Sequence, residues 1–220
     1  MAITAVIPVR AGSTRLKDKN ISRFAGLNLL TWKIEQLKLV KEIENIVVSS
    51  DSDLMLEMAM DKGCQIQKRP PEFCDEITKP FGDVVEWVVS NVTGEHILWA
   101  TVTSPLTDQT HYAAAIDKYY EVLGEYDSLV SFSVIKHFIW NEDGPVNYSL
   151  SSHVSSQNLP AFYQKTCGIS IAPRGDMLRW KYDHGTNPYK YIIDKRAAVD
   201  IDDIYDLTCA RAWLDVEWSY

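Results

Sequence analysis

Thirteen residues, Pro8-Val9-Arg10-Ala11-Gly12-Ser13-Thr14-Arg15-Leu16-Lys17-Asp18-Lys19-Asn20, place four cations and a Gly-Ser-Thr turn directly behind the apolar run Ile3 to Val9. A buried strand that ends in such a loop offers backbone N–H groups. Arg10, Arg15, Lys17 and Lys19 add the positive charge that a polyphosphate requires. The stretch is neither a P-loop, which needs Gly-x-x-x-x-Gly-Lys-Ser/Thr, nor a dinucleotide fingerprint, because Gly12 is its only glycine. A solvated basic turn is the plain alternative. Placement at the carboxyl end of the first strand, where open α/β sheets bind ligands, favours an anion site.

Three further constellations carry chemistry. Asp200 and Asp202 stand two apart in a short extended run, so they point the same way and repel. Magnesium would relieve that repulsion, because it is held by one or two carboxylates while keeping waters and phosphate oxygens in its shell. The alternative is that Asp202 or Asp203 caps the last helix. Lys68-Arg69-Pro70-Pro71-Glu72 makes a rigid turn after the third strand, where Arg69 can read a base edge or a phosphate, or else stand in an ordinary surface loop. Thr101, Thr103 and Ser104, ending another strand, offer hydroxyl hydrogen bonds without bulk, or a cap for the following helix. His137, His153 and His184 do not cluster at ligand spacing, and the seven tryptophans read as packing.

The elements that must position these residues alternate. Short β-branched runs at Ile3 to Val9, Asn45 to Ser49, Cys64 to Lys68, His96 to Val102 and Ser128 to Val134 are predicted strands. Between them lie helical patterns: Leu30, Ile34 and Leu37 on one face, Leu54 to Lys62 after the capping candidate Asp51, Gly82 to Val92, and Thr110 to Leu123. This is the pattern of βαβ units on a mainly parallel sheet. Lys136 to Lys165 then breaks the alternation with a polar, serine-rich stretch and the turn signal Glu142-Asp143-Gly144-Pro145, too long for a plain connection. It is expected to form a small β-lobe or to pack on another subunit. Gly168 to Ala172, a short helix after Pro173, a strand near Tyr189 to Ile193 and a helix from Ile204 to Val216 complete one α/β domain over residues 1–220.

The 220 residues, 46% of them apolar, can bury a full core. A formal charge of −8 argues against a nucleic-acid surface and makes the basic loop a local island suited to a small anion. Cys64, Cys74, Cys167 and Cys209 form no C-x-x-C pair, so neither zinc nor a disulfide framework is indicated. With no signal-peptide pattern and no long apolar window, a soluble cytoplasmic protein without a membrane partner is expected.

Taken together, Arg10-x-Gly-Ser with Lys19-Asn20, Ser49-Ser50-Asp51-Ser52, Arg69-Pro70-Pro71-Glu72, Thr103-Ser104-Pro105-Leu106 and Asp200-Ile201-Asp202 resemble the CMP-sialic acid synthetase family, the acylneuraminate cytidylyltransferases, nearly end to end. The resemblance implies a doubly wound, Rossmann-like nucleotidyltransferase fold with an insertion used in homodimerisation. It implies a reaction in which the anomeric hydroxyl of a 2-keto sugar acid attacks the α-phosphorus of CTP and expels pyrophosphate. By position, Arg10, Gly12, Ser13, Arg15 and Lys19 would hold the triphosphate, Asn20 its ribose or phosphate end, and Arg69 would sit by the cytosine. Asp200 and Asp202 would carry Mg2+, making Arg10, Lys19 and Asp202 the reactive core. Thr101, Thr103, Ser104 and Lys165 would meet the acidic sugar, with Lys136 as another source of the cation. Gly12-Ser13-Thr14-Arg15-Leu16 is also similar to the 3-deoxy-manno-octulosonate (KDO) cytidylyltransferases. Thr101 stands where the family usually has glutamine, Cys167 where it has asparagine, and Ser156 near its carboxylate-binding arginine. A KDO-type enzyme and a nucleotide-binding protein without turnover are therefore the alternatives to a sialic-acid-like acceptor.

Overall fold

The computed structural model describes residues 3–75 and 78–215. In chain order its strands are β1 (Ile3–Pro8), β2 (Arg23–Phe24), β3 (Leu27–Asn28), β4 (Ile43–Ser50), β5 (Gln65–Lys68), β6 (His96–Trp99), β7 (Ser128–Ile135), β8 (Trp140–Asn141), β9 (Gly144–Pro145), β10 (Phe162–Pro173) and β11 (Pro188–Ile192). The helices are α1 (Leu29–Lys38), α2 (Asp53–Asp61), α3 (Phe81–Ser90), α4 (Gln109–Val122), α5 (Arg174–Trp180) and α6 (Ile204–Ala212). Seven strands form one sheet in the order β11-β7-β10-β6-β1-β4-β5, parallel except for β10, which runs antiparallel to both neighbours.

Alternation along β1 explains why the sheet is covered on both faces. Ile3, Ala5 and Ile7 point into a core shared with Leu30, Ile34 and Leu37 of α1, Tyr112 and Ile116 of α4, and Leu207 of α6. Val6 joins Val47, Ile97 and Trp99 in a second core, against Val85, Val88 and Val89 of α3 and Met177 of α5. The fold is thus the doubly wound α/β arrangement expected from the strand–helix alternation.

Several local expectations need correction. Asp51 does not cap α2; Ser52 does, accepting from the Met55 N–H, while the Asp51 carboxylate accepts the Ala11 N–H at 2.8 Å. Strand β6 stops at Trp99 rather than Val102, because Thr101 to Leu106 turns over on itself. Neither Thr103 nor Ser104 caps α4; Asp108 does, in a capping box with His111. Strand β10 begins at Phe162, so Phe162 to Lys165 belong to the main sheet, paired with Phe132 to Ile135. The insertion shrinks accordingly and contains the hairpin β8–β9. Helix α6 ends at Ala212 and passes into a short 3-10 turn, Trp213–Asp215; Val216, its expected end, lies outside the described residues.

The turn before β6 illustrates how tightly the sheet edge is drawn. Gly94 has φ +120°, and a Cβ there would lie 2.6 Å from Thr4 Oγ1, the hydroxyl that donates to the Thr93 carbonyl at 2.7 Å. Gly94→Ala therefore adds backbone strain to a steric clash and should lower stability by about 1–3 kcal/mol, read as a reduced urea midpoint with unchanged slope.

Candidate functional site

Three parallel neighbours, β6, β1 and β4, end together, and β5 ends beside them. The chain leaves β1 for β4 on one side and meets β6 on the other, so this is the switch point at which open α/β sheets bind ligands. A cleft of about 400 Å³ opens there, within the ~300–1,000 Å³ typical of small-molecule sites. It is lined by Arg10, Ser13, Arg15, Lys19, Asn20 and Arg69 on the nucleotide-motif side. Thr101 and Thr103 line it from the turn after β6.

The cationic loop is held in place by its neighbours. Asn20, buried, donates from Nδ2 to the Arg10 carbonyl at 2.9 Å, folding the loop back on its start. The Asp51 contact to Ala11 fixes the next residue, and Gly12 follows with φ +71°, a conformation that favours glycine. Arg10 Nη1 donates to the Cys74 carbonyl at 3.3 Å. Lys17 is exposed and is not among the cleft-lining residues.

Asp202 meets this loop across more than 180 residues of sequence, although neither it nor Asp200 is among the residues that line the cleft. Arg15 grips Asp202 bidentately, Nη1 to Oδ2 at 2.9 Å and Nη2 to Oδ1 at 2.8 Å. Lys19 Nζ donates to the Ile201 carbonyl at 2.8 Å and reaches Asp202 Oδ1 at 3.4 Å. With side chains 65% and 46% exposed, the Arg15–Asp202 pair stabilises little, so either partner can exchange for an incoming ion. The capping alternative settles on Asp203, whose carboxylate accepts from Tyr205 and Asp206 N–H groups. Asp200 and Asp202 are left for other work.

Asp200 is the carboxylate with an unmet acceptor that a cation could take. Its Oδ1 is buried without a hydrogen-bond partner, which is costly for a carboxylate oxygen. Among the described residues no group of three or more His, Cys, Asp or Glu side chains forms a metal cage. A two-carboxylate site completed by phosphate oxygens and water is the arrangement suited to Mg2+ rather than to zinc. The second feature of Asp200 is its effect on Cys167: desolvation, then the Asp200 charge and hydrogen bond, push that thiol up to about 11.

Other expected residues play different parts. Arg69 is 3% exposed, and its guanidinium donates to the Val9 carbonyl at 2.6 Å and to Cys74 Sγ at 2.9 Å, bracing the end of β1 against the Pro70–Cys74 turn. Ser104 is buried behind Thr101. Lys165 is not among the lining residues; its ammonium pairs with buried Asp183 at 3.0 and 3.1 Å. Lys136 donates to the Gln157 carbonyl in the insertion.

Sequence reasoning missed the apolar wall opposite the cationic loop. Phe73, Phe81 and Trp99 line the cleft, with the Phe81 and Trp99 rings edge-on at 6.0 Å. Trp99 had the signal of ending a strand at the sheet's ligand edge. Phe81, at the start of α3, had none. Lys33 was missed too, although it stands three residues after Leu30 and four before Leu37, on the apolar stripe of α1.

The family model described as "Cytidylyltransferase" matches residues 4–144, and the chain belongs to that family. It is 28% identical over 215 residues to N-acylneuraminate cytidylyltransferase of Escherichia coli O18:K1:H7 (strain RS218 / NMEC), covering 94% of this chain. The chain spans about half, 51%, of that relative's length. It is 23% identical over 216 residues to pseudaminic acid cytidylyltransferase of Campylobacter jejuni subsp. jejuni serotype O:2, covering 94% of this chain and 93% of that protein. In fold it is similar to CMP:2-keto-3-deoxy-manno-octonic acid synthetase complexed with CTP, with TM-score 0.71, 13% identity and coverage of 97% and 98% of the two chains. Among the described residues no helix is long and apolar enough to cross a membrane.

Cys167, exposed at the surface, offers a readout of the Asp200 charge that needs no substrate. Its alkylation at pH 8, followed by peptide mass spectrometry, should be slow for a surface thiol. Asp200→Asn removes the charge that adds to desolvation in raising the pKa and should accelerate it several-fold. An unchanged rate would show that the two groups do not interact.

Proposed function

We propose that this protein is a magnesium-dependent cytidylyltransferase that activates a 2-keto sugar acid of the nonulosonic, sialic-acid-like class as its CMP derivative. The observation that carries the reading is the meeting of the Arg10–Asn20 loop with Ile201 and Asp202, through Arg15 and Lys19, two residues that line the cleft. The sugar acids for which the E. coli and C. jejuni relatives are named support the acceptor class.

In the reaction the acceptor's anomeric hydroxyl oxygen forms a bond to the α-phosphorus of CTP. The bond from that phosphorus to the oxygen bridging the β-phosphate breaks, pyrophosphate leaves, and the hydroxyl proton is released. Displacement at phosphorus is mainly positioning and charge neutralisation. Arg10, Ser13, Arg15 and Lys19 bind the triphosphate, with Gly12 holding the loop's shape. Asn20 keeps Arg10 turned into the cleft through its carbonyl. The Phe73, Phe81 and Trp99 wall gives the base an apolar face. Arg69 supports that end of the cleft from behind rather than reading the base with its bonded nitrogens. Thr101 and Thr103 offer hydroxyls to the acceptor, Ser104 sets their turn, and Lys165 stands by as the nearby cation. Asp200 and Asp202 would hold Mg2+, which when bound would polarise the α-phosphate and screen the leaving group.

The protein acts as a homodimer through the insertion. Its surface carries the apolar side chains Trp140, Val146 and Leu150, 57%, 46% and 71% exposed, which burial against a second copy would cover.

Purified protein with CTP and Mg2+ should release pyrophosphate with at least one nonulosonic acid. Release with 3-deoxy-manno-octulosonate alone would shift the acceptor to the KDO class. CTP binding without release on any acid would leave only a nucleotide-binding role. Asp202→Ala should cut kcat at least 100-fold with an unchanged circular dichroism spectrum; retained turnover removes the metal assignment. Leu150→Ser combined with Trp140→Ser should halve the mass seen by sedimentation.

A further inference from the structure

Lys33 is fully buried in α1, beneath the turn that carries Thr101 and Thr103 into the cleft. Its Nζ lies 2.8 Å from the Ser104 carbonyl, 2.9 Å from the Thr107 carbonyl and 2.6 Å from Tyr112 Oη. All three partners are neutral. A lysine in a core without an adjacent carboxylate costs more than the aliphatic side chain that would fill the same space. Burial draws its pKa down to about 7, with only the Asp108 charge opposing. What its Nζ provides is two contacts to carbonyls of one turn and a third to Tyr112 of α4.

That turn meets the acceptor side of the cleft at a second point. Tyr112 Oη passes the contact on to the Gly168 carbonyl at 3.3 Å, within the register shift of β10 between Lys165 and Ser170. Gly168 closes on the turn so tightly that a Cβ would lie 2.7 Å from Thr107 Oγ1. On the cleft side, Thr101 Oγ1 donates to the Cys167 carbonyl at 2.9 Å. The turn and the β10 bulge are therefore stitched together at the front by Thr101 and at the back by Lys33 and Tyr112. Ile201 N–H donates to the Thr103 carbonyl at 2.7 Å, which ties the aspartate segment to the same turn.

We propose that Lys33 is a positioning residue for the acceptor: through Ser104, Thr107 and Tyr112 it fixes the Thr101–Thr107 turn against the Gly168 bulge, and so sets where the sugar acid sits. This rests on the cytidylyltransferase reading for its kinetic consequence, but its structural consequence stands apart. Geometry held by a buried network is what lets small hydroxyls bind with precision.

The test uses the full chain with Lys33→Met, which keeps the length and removes the hydrogens, and Tyr112→Phe, which removes the relay to Gly168 together with one of the three Lys33 contacts. CTP affinity by calorimetry should stay within about threefold of wild type in both. With whichever acid the wild type accepts, acceptor KM should rise at least tenfold in Lys33→Met and about threefold in Tyr112→Phe, with kcat falling less. Amide hydrogen exchange should speed up at least tenfold over residues 101–107 and 167–170 in Lys33→Met while β1 and β4 stay unchanged. Unchanged exchange and acceptor KM, or loss spread equally over CTP affinity and the whole sheet, overturns the proposal. Should Lys33→Met fail to fold, Tyr112→Phe decides, and unchanged exchange at residues 167–170 overturns it. If the wild type turns over no acid, the function proposed above fails, and the exchange comparison alone decides the role of Lys33.

Discussion

The backbone of Ile201 is held from both sides, and the candidate site depends on it. Its N–H donates to the Thr103 carbonyl at 2.7 Å, and its carbonyl accepts from Lys19 Nζ at 2.8 Å. Its side chain is buried in the larger core. A single residue near the carboxyl terminus thus joins the turn after β6 to the cationic loop after β1. Asp200 and Asp202 flank it at the place where those two segments meet. The strong contributions are the buried side chain and the two backbone bonds; the exposed Arg15–Asp202 pair is weak by comparison. That division of labour suits a binding site: the frame is fixed by groups that do not exchange, and the charges facing solvent can change partners.

Electrostatics give the same region its character. The chain carries a formal charge of −8, so the cluster of Arg10, Arg15 and Lys19 is a local reversal of sign. Concentrated at a concave surface, such a reversal attracts a small polyanion without inviting a nucleic acid. The carboxylates beside it keep the cluster from being uniformly positive. Asp202 is already satisfied by Arg15 and Lys19, whereas Asp200 Oδ1 has no hydrogen-bond partner. The two aspartates are therefore unlike despite their spacing, one neutralised by side chains of the loop and the other in electrostatic debt.

Much of this was legible in the sequence because strand alternation and loop chemistry are local. The β-branched runs located the parallel strands. The loop after the first of them and the aspartates before the last helix were identified by residue type and spacing, and the fold brings Asp202 onto that loop. What was not legible depends on contacts across the chain. Asp51 looks like a helix cap, yet its carboxylate is taken by Ala11, forty residues earlier. Arg69 looks like a surface arginine or a reader of ligand, yet it is buried and donates to the Val9 carbonyl while still lining the cleft. Phe162 to Lys165 look like part of a polar insertion because their pairing partners are in β7, and no local period marks them.

Lys33 shows where such reading can be sharpened. Charged residues on an apolar helical stripe are ordinarily taken as interruptions, with the long side chain snorkelling to water. Here α1 lies beneath the sheet edge, and Lys33 has no route to solvent. Its acceptors among the described residues are backbone carbonyls of a turn and one tyrosine hydroxyl. A turn has more carbonyls than its own N–H groups can satisfy, and an ammonium can satisfy several at once. A buried lysine beneath a ligand-edge turn is thus a means of giving an irregular segment the rigidity that strands and helices obtain from their own hydrogen bonds. The turn so held is the one whose Thr103 carbonyl receives Ile201, which makes the back of the acceptor side and the anchoring of the aspartates parts of one hydrogen-bonded unit.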